Sequence, residues 1–195
     1  MQKKDKFNRK DLLLLLLYSP TDTSGTNTPM TGRTRVMKAI YLFKKEIWSN
    51  YFFNDLIPVL QDFVPWHYGP FSVDVFADID FFVKIEFIER GSASPSSDSY
   101  ANESVEEFEY WQEESSDSDG EQMFEYTEEQ FTLTDKGIQY VEVSSLYTSL
   151  STSQQKILKT FKTKICTIPL RQLLEYVYNK YPEDTVKSRI REQIM

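Results

Sequence analysis

The chain has 195 residues, 40% of them hydrophobic and 15% aromatic, and a formal net charge of -8. That length suits one domain with a small appendage and buries a core without covalent staples. One cysteine excludes an internal disulfide and a cysteine-rich metal site, and it fits a reducing, cytoplasmic setting.

In chain order, a basic start (Lys3, Lys4, Lys6, Arg9, Lys10) leads into the six leucines Leu12 to Leu17. The apolar run is short for a secretory signal, Asp5 and Asp11 interrupt its basic flank, and Pro20-Thr21-Asp22 follow where small residues would mark a cleavage site. It is also too short for a bilayer, which needs roughly 20 apolar residues. The expectation is a buried core helix over about residues 8–18, since a helix apolar all round is surrounded by other elements. The stretch "SPTDTSGTNTPMTG" then reads as a loop.

A second helix is expected from Arg33 to about Trp48. Val36, Ile40, Phe43 and Ile47 share one face, and Thr31 is placed to cap its start. An aromatic connection with a Tyr68-Gly69-Pro70 turn leads to a third helix. There Val75, Ile79 and Phe82 share a face and Ser72 is a good N-cap. Ile85 to Glu89 reads as the start of a strand.

From Gly91 to Gln130 the chain holds thirteen acidic residues and no Lys or Arg. The remainder carries 22 basic against 17 acidic residues, so a mildly basic body (+5) bears an acidic segment. Residues 91–122 form a low-complexity insert, too polar to offset the entropy of ordering. Phe108, Tyr110 and Trp111 are its exception, an aromatic trio suited to docking. Phe124, Tyr126, Phe131 and Leu133 suggest a return strand. A helix is expected from Asp135 to about Leu150, and another capped by Ser151 or Ser153. A last one, Leu170 to Tyr181, buries Leu170, Leu173, Leu174, Val177 and Tyr178 and ends at Pro182.

Three helices followed by a two-stranded hairpin is the layout of a winged helix. The expected fold is therefore mainly α, within α+β. A winged-helix-like domain spans residues 1–150, its wing carries the acidic insert, and a helical extension covers 151–195.

Four stretches, "GRTRVMKAIYLF" (32–43), "YGPFS" (68–72), "FTLTDKG" (131–137) and "LLEYVYNKYPEDTVKS" (173–188), resemble a family of small bacterial and archaeal proteins of the YwgA type. More distantly, they are similar to the Panacea domain of antitoxins such as SocA. Arg35, Lys38, Tyr41, Gly69 and Pro70 match positions such proteins share. The resemblance implies a winged-helix-like fold without catalytic residues, and a partner toxin. The acidic insert departs from the family's plain pattern.

A search for chemistry finds little. His67 and Cys166 are the only residues of their kinds, and each has an ordinary structural reading. "DSDGE" (117–121) lacks the spacing of a calcium loop. No metal, cofactor or enzymatic activity is expected. For DNA, the third helix would enter the major groove. There Asp74 and Asp78, four apart, would face phosphates that repel them.

The first reading is a protein-interaction module, the antitoxin or regulatory subunit of a toxin–antitoxin or phage-defence pair. Its candidate contacts are Arg33, Arg35, Lys38, Tyr68, Asp74, Asp78, Phe108, Tyr110 and Trp111. Arg35 and Lys38, three apart, share a helix face. They are expected to pair with carboxylates of the third helix or wing, or of an acidic partner. The second reading is a DNA-binding regulator with an autoinhibitory acidic loop, contacting phosphates through Lys3, Lys4, Lys6, Arg9 and Lys10.

Overall fold

The structure, a computed structural model, describes residues 7–93 and 128–195. Among these residues seven α-helices combine with two small antiparallel sheets, an α+β arrangement. Phe108, Tyr110, Trp111, Lys3, Lys4 and Lys6, and the expected strand residues Phe124 and Tyr126, lie outside the described residues.

Helix α1 spans Asp11–Tyr18. All six leucines are at most 1% exposed, so the run is the centre of the core. Fully burying each one stabilises the fold by roughly 2 kcal/mol. The helix starts three residues later than expected, because Asn8 and Asp11 close its entry. The Asn8 backbone N–H donates to Asp11 Oδ2 (2.8 Å) and the Lys10 N–H donates to Asn8 Oδ1 (2.8 Å).

Strand β1 (Met30–Thr31) leads into α2 (Arg33–Leu42), whose N-cap is Gly32 rather than Thr31. A π-helical turn, Phe43–Ile47, continues α2. Strands β2 (Val64–Trp66) and β3 (Gly69–Phe71) form a hairpin that pairs Trp66 with Gly69. Gly69 has φ +85°, and a Cβ there would lie 3.0 Å from the Tyr178 ring, so two constraints require glycine.

Helix α3 spans Val73–Lys84. Ser72 occupies its N-cap position, but the buried hydroxyl makes no cap bond, contrary to expectation. Strand β4 (Ile88–Ala93) begins three residues later than expected. The intervening chain turns at Glu86, whose φ is +61°.

Strand β5 (Glu128–Leu133) lies between β1 and β4. Met30 pairs with Phe131, Ile88 with Leu133 and Ala93 with Glu128. Helix α4 (Asp135–Val143) follows, capped by the Thr134 hydroxyl, which accepts the Gly137 N–H. It stops well short of Leu150, and Ser145 takes φ +57° in the turn beyond it. A Cβ on Gly137 would lie 2.2 Å from the Phe87 carbonyl oxygen, so only glycine lets α4 meet the end of α3 this closely.

Helix α5 (Thr152–Thr167) opens with a capping box between Ser151 and Gln154. Helices α6 (Leu170–Lys180) and α7 (Arg191–Ile194) complete the chain, and of the apolar residues expected to be buried on α6 only Leu170 is partly exposed. One hydrophobic core takes in Leu158, Ile165, Leu174 and Val177 together with α1 and α2. Packing is therefore continuous across residue 150, where the helical extension was expected to begin.

Candidate functional site

The basic residues at the start of α2 are spent inside the molecule. Arg33 donates through Nε to Glu129 Oε2 on β5 (2.5 Å) and through Nη2 to Asp80 Oδ1 on α3 (3.3 Å). Arg90 on β4 also bonds Asp80 and lies 3.8 Å from Glu129. Arg33 thus pairs with carboxylates of the third helix and of β5, the kind of partner expected for Arg35 and Lys38.

Arg35 and Lys38 also reach backbone carbonyls. Arg35 Nη1 donates to the carbonyls of Ile165 and Ile168, each at 2.6 Å. A guanidinium at the end of α5 meets the negative end of that helix. Lys38 is 2% exposed and donates to the Pro70 carbonyl at 3.1 Å. Arg35 and Lys38 reach carbonyls on different elements, and α2 is enclosed between Val36 and Phe43, all of them buried. A buried ammonium then takes the nearest backbone acceptor.

Further along, the Tyr41 hydroxyl donates to Asp184 (2.6 Å), which also pairs with Lys45 (2.7 Å). On the π-turn, Glu46 Oε1 accepts from Tyr176 (2.8 Å), Lys180 (2.9 Å) and Tyr181 (2.9 Å). Burial alone would push the Glu46 carboxyl up, but these donors outweigh it and hold it below the usual range. Burial, then the hydrogen bond to Glu46, pushes the Tyr181 hydroxyl up to about 12. Tyr68 is partly buried against the core.

On α3, Asp74 and Asp78 have different surroundings. Asp78 is 1% exposed; it accepts from Gln61 Nε2 at 2.9 Å and faces Arg9 at 3.7 Å and Lys10 at 3.8 Å. Burial raises its carboxyl pKa, against the pull of Gln61, Arg9 and Lys10. Asp74, on the helix flank, accepts from Arg9 Nη1 at 2.7 Å. Only Asp74 therefore stands where a ligand on α3 would meet it, and Arg9 and Lys10 are engaged by carboxylates of their own chain.

What α3 presents to solvent is a stripe at helical spacing: Val73 (71% exposed), Ala77, Asp80, Phe81 (41%) and Lys84. It is apolar and acidic with one lysine. Beside its far end lies a groove of about 650 Å³ between the start of α1, the end of α3 and α4, walled by Phe81, Phe82, Phe87 and Tyr140.

Cys166 and His67, the one cysteine and the one histidine, have different surroundings. Cys166 Sγ lies 4.0 Å from the Pro29 carbonyl, and burial pushes its thiol up despite Lys162 and Arg35, which favours the inert form. The His67 ring stacks on Trp66 with centroids 4.8 Å apart, while its carbonyl accepts from Arg189 N and Ser188 Oγ. Among the described residues no group of three His, Cys, Asp or Glu is placed to hold a metal ion, and no helix is long and apolar enough to cross a membrane.

Sequence reasoning missed Lys162, which is fully buried on α5 and donates to the Leu17 and Ser19 carbonyls, both at 2.7 Å. Burial lowers its pKa to about 8. The signal was present: Lys162 stands four residues after Leu158 and three before Ile165, on the apolar face. The groove was missed because its walls come from segments far apart in sequence.

Comparison with protein-family models and with curated proteins finds no match to this chain.

Proposed function

We propose that the chain is a non-catalytic protein-docking module on a winged-helix-like scaffold, and that α3 carries the docking face. The scaffold reading is supported by element order: α1, β1, α2, the β2–β3 hairpin, α3, then β4 and β5, with β1 running along β5. The observation that carries the functional reading is the solvent stripe of α3. A helix that reads bases needs side chains that donate to or accept from base edges, and a cationic or neutral surround. Val73, Ala77 and Phe81 offer none, Asp80 is acidic, and Lys84 alone is cationic. An apolar stripe with charged edges suits a protein surface instead.

The resemblance to YwgA-type and Panacea proteins supports a specific role, the antitoxin or regulatory subunit of a toxin–antitoxin or phage-defence pair. The DNA-binding alternative has less behind it than the sequence alone gave it, since Arg9, Lys10, Arg33, Arg35 and Lys38 all have partners within the fold.

The test is capture of partners from native cells by tagged protein, with and without nuclease, beside the variant Ala77→Arg. The expected outcome is a nuclease-resistant protein partner that Ala77→Arg loses. Recovery of DNA alone, abolished by nuclease, would overturn the reading.

A further inference from the structure

The groove beside α3 has a carboxylate, Asp11, with no counter-ion among the described residues. Asp11 is 3% exposed and lines the groove. It accepts the Asn8 backbone N–H at 2.8 Å and the Tyr140 hydroxyl at 3.4 Å. Among the described residues no Lys or Arg lies within ion-pair distance of it. The cations at the groove mouth are matched elsewhere, Arg9 by Asp74 and Asp78 and Lys10 by Asp78. Among the described residues, two cations thus face three carboxylates.

The walls suit a positive charge. Phe87 and Tyr140 have centroids 5.0 Å apart at 40°, and Phe82 stacks on Phe87 at 6.0 Å. Aromatic faces attract cations through the ring quadrupole. This groove already uses that attraction: the Lys10 ammonium lies 3.8 Å from the centre of the Phe81 ring, and Lys136 lies 5.7 Å from that of Phe87. Lys136 is matched in turn by Glu86 at 3.7 Å, so it leaves the imbalance unchanged.

We propose that the groove receives an arginine or lysine side chain of a protein partner. The aliphatic stem lies along Phe82 and Ile85, and the cation rests against the aromatic walls and faces Asp11. This rests on the reading of α3 as a docking face, with which the groove shares Phe81. It gives that face a chemistry: the partner segment is apolar where it meets Val73 and Ala77, and basic one or two helical turns further on. Burial raises the Asp11 carboxyl pKa, as fits a carboxylate whose counter-ion is still to arrive.

The test uses the full chain, labelled with nitrogen-15 and titrated separately with Nα-acetyl-arginine amide, Nα-acetyl-lysine amide and Nα-acetyl-norleucine amide. Saturable shifts at Asp11, Phe81 and Tyr140 are expected with the two basic probes and not with norleucine. Asp11→Asn weakens the basic probes at least tenfold. Phe81→Leu, at a half-exposed ring whose loss leaves the core intact, weakens them several-fold and serves even where Asp11→Asn fails to fold. Equal shifts with norleucine, no saturation, or unchanged affinity in the folded variants would overturn the proposal. Partner capture separates it from the reading it rests on. Capture lost in Ala77→Arg but kept in folded Asp11→Asn and in Phe81→Leu leaves the docking face standing and removes the groove.

Discussion

Helices α2 and α3 both engage charged residues with partners in the fold, but only α3 also keeps an exposed apolar stripe. On α2, Arg33, Arg35 and Lys38 reach β5, α3, α5 and β3 and meet carboxylates or backbone carbonyls of the same chain. On α3, Asp78 is drawn inward while Val73, Ala77, Asp80 and Phe81 stay outside. A charge pattern therefore identifies a surface only once the surroundings of each group are known. The basic helix is a fastener, and the plainer helix beside it is the one with surface to offer.

The contrast is sharpened first by removing an internal cation. Lys162→Ala leaves the Leu17 and Ser19 carbonyls without their donor and opens a void beneath α1. A loss of about 3 kcal/mol is expected in urea unfolding. Gly137→Ala drives a methyl group into the Phe87 carbonyl and should cost about 2 kcal/mol by the same measurement. Arg35→Met keeps an apolar stem but uncaps α5, with an expected loss of about 1–2 kcal/mol.

A pH series isolates the buried ammonium. The Lys162 pKa is lowered from 10.5 to about 8 by folding, so above pH 8 the unfolded chain binds the extra proton and stability rises with pH. Tyrosines with raised pKa values, Tyr41 and Tyr181 among them, act in reverse: above pH 10 the unfolded chain sheds protons first and stability falls. A rise of about 1 kcal/mol between pH 8 and 9.5 is expected in the native chain and absent in Lys162→Met. The smallest effect belongs to α3. Val73→Ser should change stability by no more than about 0.5 kcal/mol, yet weaken partner capture. A large loss of stability there would mean that the stripe belongs to the core, and the comparison would collapse.

Much of this was legible in the sequence. The leucine run, the capping box at Ser151 and the apolar face of α6 follow from spacing and end chemistry alone. Asp78 was legible too, standing three residues after Val75 and four before Phe82, on the inward face, though its charge argued for solvent. Lys38 was not. It lies opposite Val36 and Ile40, and only the layers packed on the far side of α2 enclose it. Strands β2 and β3 were hidden because Pro65 and Pro70 sit inside them, where proline usually argues against a strand. Strand β1 is two residues long, below what any alternation pattern can register. The groove escaped because burial of Asp11 depends on Tyr140, 129 residues away.

The pairing of Ala93 with Glu128 has an evolutionary consequence. Ala93 and Glu128, which flank residues 94–127, are held side by side by a ladder that runs back to Ile88 and Leu133. Whatever conformation residues 94–127 take, the free energy of closing a loop grows only with the logarithm of its length. Replacing them with a four-residue turn changes that term by about 2 kcal/mol. A change in the length of that span therefore alters the closure term of the β4–β5 ladder only slightly. In chain entropy alone, the ladder is a hinge pin at which the length of sequence between Ala93 and Glu128 is almost free to drift.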